Sequence, residues 1–135
     1  MSTNSPKRVA ITVNIPEKRI LDLLCSGLDP GYGGALYWID TYEGLAPPSG
    51  EQSPKYMHEH AWQHGIEISY DPSGGGDAEP ELERVILNRE AIHLGLVIMA
   101  EKYSSRFGDF MRGNDDAITG DVLVQLSVFG ELVFG

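Results

Sequence analysis

An apolar stripe that begins just after Asn88 constrains this chain more than any other feature. Ile92, Leu96, Met99, Tyr103, Phe107 and Phe110 recur at spacings of three and four, which places them on one face of an α-helix. The pattern predicts a helix of about five turns at 3.6 residues per turn. Asn88 is its expected N-cap, because the amide side chain can accept from the first free backbone N–H groups. Gly113-Asn114-Asp115-Asp116 breaks the pattern. A helix with one long apolar face needs other structure to cover it, so the chain must build a core.

The remaining segments offer material for that core. Val9, Ile11, Val13 and Ile15 alternate within Arg8–Ile15, the period-two pattern of a half-buried strand. Pro16 suits the first position of a following helix, with Glu17 in its first turn and Ile20, Leu21, Leu24 and Leu28 as its apolar stripe. Gly27 or Asp29-Pro30 should end it. Ala35–Ile39 reads as a short strand or an irregular core segment. Tyr42–Lys55, with Gly44, Pro47, Pro48, Gly50 and Pro54, reads as loop. Gly65–Tyr70 and Leu82–Leu87 read as two strands of a long-looped hairpin. Ile118–Phe134 satisfies a strand pattern through Val122, Val124, Leu126 and Val128, and a helix pattern through Ile118, Val122, Leu126, Phe129 and Val133. Helix is preferred, because Asp121 and Gln125 stand four apart and acidic residues cluster where the helix dipole is positive. The expectation is a single α+β domain over residues 1–135, a small antiparallel sheet with helices packed on one face. Residues 1–7 are expected to be flexible.

Charge narrows the function classes. Twenty acidic residues against ten basic ones give a net charge of −10. Direct nucleic-acid binding needs clustered Lys and Arg, and an anionic membrane surface would repel such a chain. A basic protein partner fits it better. Cys25 is the only cysteine, so no internal disulfide can form, and its apolar neighbours make it a small buried hydrophobe. Met1–Lys7 lacks the apolar segment of a signal peptide, and no run reaches the roughly 20 apolar residues of a membrane span. A cytoplasmic protein is expected.

Several residue groups are candidates for chemistry. His58, His60 and His64 could ligate a metal, since 58 and 60 point the same way on an extended segment. They lack further ligands at recognisable spacing, so neither a metal nor another cofactor is expected. Gly31-Tyr32-Gly33-Gly34 could cradle a phosphate with backbone amides, and Tyr37 and Trp38 could stack on a ring. The alternative there is a tight connection delivering the two aromatics to the core. Asp115, Asp116 and Asp121 lie close enough in sequence for a divalent cation, although helix N-capping explains them without one. No nucleophile elbow and no Cys–His pair with an orienting group is present, so the chain is not expected to be an enzyme. Finally, Asp71, Asp77, Glu79, Glu81 and Glu83 occupy a connection that holds no basic residue and includes Ser73-Gly74-Gly75-Gly76. Glycine there should make the loop mobile and its charges available to a partner.

The run Asn114–Ala117, Gly120–Gln125 and Phe129–Gly135, with Ile20–Leu24 and Tyr37-Trp38-Ile39, resembles a group of small, largely uncharacterised accessory proteins encoded by bacteriophages and prophages. The likeness touches both ends of the chain and rests on packing residues, while Glu43–Glu83 has no counterpart. It implies a phage provenance more than an activity; by analogy with other small acidic phage proteins, the expected function is to bind and inhibit a host defence protein, such as a CRISPR-type effector, by opposing acidic residues to a basic nucleic-acid-binding surface. The alternative is a small-molecule or nucleotide-binding protein using the Gly31–Gly34 turn and the nearby aromatics.

Overall fold

The computed structural model describes residues 7–31 and 33–135. Apart from Lys7, the segment expected to be flexible lies outside the described residues. Pro16, at φ −59°, precedes the first helix, α1 (Glu17–Leu28). Ile20, Leu23, Leu24 and Leu28 form its buried face, and the helix stops where Asp29 turns extended and returns its amide to the Cys25 carbonyl. A compact turn leads to strand β1 (Ile39–Gly44), followed by the short helix α2 (Met57–Gln63). Strands β2 (Ile66–Tyr70) and β3 (Glu83–Leu87) come next, then helices α3 (Arg89–Lys102), α4 (Ser104–Met111) and α5 (Ala117–Phe129).

The three strands form an antiparallel sheet in the order β1-β2-β3. Tyr42, Ile68 and Val85 align across it, and Ile66 stands opposite Leu87. Ile66, Ile68 and Tyr70 share the buried face that meets the helices. The other face carries the Arg84–Glu67 ion pair at 3.1 Å and the exposed Ile86. The expected α+β architecture, a small antiparallel sheet with helices on one face, is therefore the observed one.

Helix α5 is the centre of the molecule, buried continuously from Thr119 to Leu126 and packed between α1 and α3. Its crossing with α1 is made by backbone on backbone. A Cβ on Gly120 would lie 2.6 Å from the Gly27 nitrogen, and one on Gly27 would lie 2.8 Å from the Gly120 oxygen. Glycine at both positions is what allows this approach. The helix ends at Gly130, whose φ of +75° is the left-handed cap that favours glycine.

Four local expectations need correction. Arg8–Ile15 forms no strand. Val9 and Ile11 are about 80% exposed, at 81% and 80%, and only Ile15 packs against the core. Alternation marks which side chains share a face, but a strand also needs a neighbouring edge, and this segment pairs with none. The expected loop from Tyr42 is in part strand, because β1 extends to Gly44 with Tyr42 paired to Ile68. Helix α2 was not foreseen. The long helix is two helices, broken at Tyr103 (φ −130°, ψ 53°) just before Ser104-Ser105. Serine pairs are among the sites where helices kink, although no side chain caps α4. Phe110 still reaches the core across the break, and Asn88 does cap α3, accepting from the Ala91 amide at 2.9 Å.

Candidate functional site

The acidic connection between β2 and β3 is built on a fixed base. Tyr70 and Glu83 are opposite each other in the sheet, and the Tyr70 hydroxyl donates to the Glu83 carboxylate at 2.8 Å. Asp71 accepts from the Ser73 amide at 2.8 Å, the Ser73 hydroxyl at 2.7 Å and the Gly75 amide at 3.0 Å, an Asx-type turn. These bonds, the Ser73 hydroxyl first, hold the Asp71 carboxyl below its ordinary range. Ser73 in turn accepts from the Asp77 amide at 3.1 Å. The glycine run is thus folded into a hydrogen-bonded turn. Asp71 and Glu83 serve that turn and the sheet, whereas Asp77, Glu79 and Glu81 are exposed and enter no ion pair among the described residues. Asp40, exposed on β1 next to the Ile39 that pairs with Tyr70, adds a carboxylate at the same end of the sheet.

The glycine turn has a different use from a phosphate cradle. The Gly33, Gly34 and Ala35 amides donate to the Asp29, Ser26 and Gly27 carbonyls at 2.8, 2.9 and 2.9 Å. They satisfy the orphan carbonyls at the end of α1, so these amides are not available to a phosphate. Gly34 also lies against the Ala117 carbonyl of α5, leaving no space for a Cβ. Gly31 adopts φ +94°, and Tyr32 lies outside the described residues.

Trp38 is buried and points into the core instead of out to a ligand. Its ring is parallel to Phe134 (5.4 Å between centroids, 9°) and also meets Tyr70 and Phe129. Its Nε1–H donates to Asp121 at 2.7 Å, and the Tyr37 hydroxyl donates to the other oxygen of the same carboxylate at 2.8 Å. Burial of the hydroxyl, with the Asp121 carboxylate beside it, pushes Tyr37 up to about 12. Gln125, one turn along α5, donates to Asp121 at 3.0 Å and accepts from the Val133 and Phe134 amides at 2.8 and 2.9 Å. Asp121 and Gln125 therefore tie the turn and the C-terminal tail to the central helix. A cleft of about 500 Å³ opens beside them, lined by Tyr37, Tyr103, Arg106, Ile118 and Leu132 among others.

The three aspartates of the α5 region do separate jobs. Asp116 is the N-cap of α5, accepting from the Thr119 amide at 3.0 Å. Asp115 pairs with Arg19 at 3.2 Å, and Asp121 belongs to the Tyr37–Trp38 network. They do not converge on a cation. The three histidines do not converge either, because their segment is helical: residues 58 and 60 fall on different faces of α2. His60 and His64 meet edge to face, with His60 Nε2 2.7 Å from the Leu45 carbonyl. His58 instead reaches α1, where its ring nitrogen Nδ1 contacts the Asp29 carboxylate and its backbone amide donates to Asp29 at 3.3 Å. Cys25 stands against the same carboxylate, and burial, followed by Asp29, pushes its thiol up to about 11. The sequence pattern alone groups His58 with the wrong partners. The signal that it misses is the four-residue step from Cys25 to Asp29 at the end of α1.

No protein-family model, no curated protein and no solved structure matches this chain. Among the described residues, no helix is long and apolar enough to cross a membrane.

Proposed function

We propose that this chain is a non-enzymatic accessory protein of the phage type, which binds a host defence protein and occludes a basic nucleic-acid-binding surface. The observation that carries the reading is the acidic turn: Asp77, Glu79 and Glu81 are exposed on a connection whose base is held by Asp71, Ser73 and the Tyr70–Glu83 bond. A preformed turn loses less conformational entropy on docking than a flexible one. Unpaired carboxylates on a chain of net charge −10 would speed encounter with a basic groove, and more so at low salt.

The test is target binding by a panel of guide-RNA-loaded effector nucleases, with this protein added at low and at physiological salt. Inhibition should weaken as salt rises. The triple variant D77K/E79K/E81K should fold normally, since exposed loop charges add little to stability. It should inhibit about tenfold less or worse, chiefly through a slower association rate. Equal inhibition by the two proteins, or none across the panel, would overturn the reading.

The cleft beside Tyr37 favours a second reading, a small-ligand protein. Arg106 and the exposed Tyr37 ring would there take an anionic, ring-bearing ligand. Thermal stabilisation by a nucleoside monophosphate, lost in R106Q, would support it, and a flat response across the four common bases would remove it.

A further inference from the structure

Cys25 has two neighbours with metal-binding side chains. Asp29, the C-cap of α1, follows Cys25 by about one turn, its amide donating to the Cys25 carbonyl at 3.1 Å. Helix α2, returning after the proline-rich loop, brings His58 to that end of α1. Asp29 holds His58 in place, contacting its ring nitrogen and accepting from its backbone amide at 3.3 Å. Tyr56 lies parallel to the His58 imidazole at 5.7 Å and 17°, which fixes the plane of the ring. One ligand atom from each of the three side chains lies within 4.8 Å of the other two.

We propose that Cys25, Asp29 and His58 hold one zinc ion, with solvent as the fourth ligand. Thiolate, imidazole and carboxylate are the three ligand types that zinc takes from proteins. Bond lengths of about 2.0–2.3 Å put neighbouring ligands of a tetrahedral ion about 3.5 Å apart, so side-chain rotation of about 1 Å closes the site. A thiolate and a carboxylate balance the two positive charges, which removes the cost of placing either anion in a largely buried position. The sulfur ligand disfavours magnesium and calcium.

The same residues make a poor nucleophilic site. A cysteine nucleophile needs the histidine at its sulfur, with the acid orienting the histidine from behind. Here the Asp29 carboxylate, which contacts the imidazole, is also within 4.8 Å of the thiol, and a negative charge beside a thiol opposes thiolate formation. A zinc ion would have a structural consequence instead. Helix α2 spans seven residues, too few to be stable alone, and the ion would clamp it to the last turn of α1, coupling metal binding to local folding. None of the three residues belongs to the acidic turn.

The experiment uses the full chain, reduced and stripped with a chelator, titrated with cobalt(II) as a spectroscopic stand-in and then with zinc. One equivalent of cobalt should produce a thiolate-to-metal charge-transfer band and the strong visible absorption of a four-coordinate ion, both removed by zinc. C25S should keep the far-ultraviolet circular dichroism of the metal-free protein and lose the charge-transfer band. Because losing even an outer-shell partner weakens metal binding about 10–100-fold, C25S, D29N and H58Q should each bind zinc at least about tenfold more weakly. If D29N fails to fold, C25S decides, since the thiol takes no part in ending α1. No band with the wild type, or a band that C25S retains, would overturn the proposal and leave Asp29–His58 as a simple hydrogen bond between helices.

Discussion

Replacing Asp121 tests how the centre of the molecule is held together. The residue is 8% exposed and accepts from Tyr37, Trp38 and Gln125. In D121A the three donors meet different fates. The Tyr37 ring is 61% exposed, so its hydroxyl can turn to water. Gln125 keeps the Phe134 carbonyl at 3.1 Å. Trp38 is 6% exposed and its ring packs on Tyr70, Phe129 and Phe134, so its Nε1–H loses its one protein acceptor. An orphaned buried donor costs about 1–3 kcal/mol, and the other two bonds about 0.5 kcal/mol each once water or a second partner replaces the carboxylate. D121A should therefore lose about 3 kcal/mol, or roughly 10 °C in thermal midpoint for a chain of this size. D121N retains a carbonyl for Trp38 and should lose about 1 kcal/mol. Urea unfolding followed by circular dichroism measures both. In a W38F background, which has no indole N–H, the D121A loss should fall to about 1 kcal/mol. If D121A and D121N are equally stable, or if W38F leaves the D121A loss unchanged, the indole–carboxylate bond is not what matters at this site.

Two further substitutions probe α5. G120A would stabilise an isolated helix by about 1 kcal/mol. Here the new Cβ meets the α1 backbone at 2.6 Å, and no flexible side chain can yield, so overpacking of about 1–3 kcal/mol or more should dominate. A thermal midpoint at or above that of the wild type would refute the close crossing. D116A removes the N-cap of α5 and should cost about 1 kcal/mol at pH 7. The backbone amide of Thr119 is the main cause holding the Asp116 carboxyl below its ordinary 3.8. A depressed pKa gives stability that is complete above the unfolded value and is lost as pH falls through the folded one. The gap between wild type and D116A should thus begin to close near pH 4 and shrink below it. A gap that is constant from pH 7 to pH 2 would assign the loss to something other than the ionised cap.

What could be read from the sequence was what one segment can say about itself. The helical stripe from Ile92, the capping by Asn88 and the helix of the tail as far as Phe129, though not out to the expected Val133, were legible because a 3.6-residue period and a cap are local signals. The β2–β3 hairpin was legible because its strands are consecutive. Pairing with a distant edge is not local, so Val9–Ile15 looked like a strand while β1, whose Asp40, Thr41 and Glu43 face solvent, looked like loop from Tyr42 onward. The same distinction governs the candidate sites. Tyr37 and Trp38 seemed free for a ligand because their acceptor lies 84 and 83 residues away, and the glycine amides seemed free because the carbonyls they cap belong to the preceding helix. Asp71, by contrast, bonds within four residues, a turn that glycine content alone does not announce. His58 shows how a wrong element changes the chemistry: placed on a strand it pairs with His60, and placed on a helix it faces Asp29 and Cys25. Seven residues are too short for a period to distinguish the two, and the metal-binding potential of Cys25 depends on that distinction.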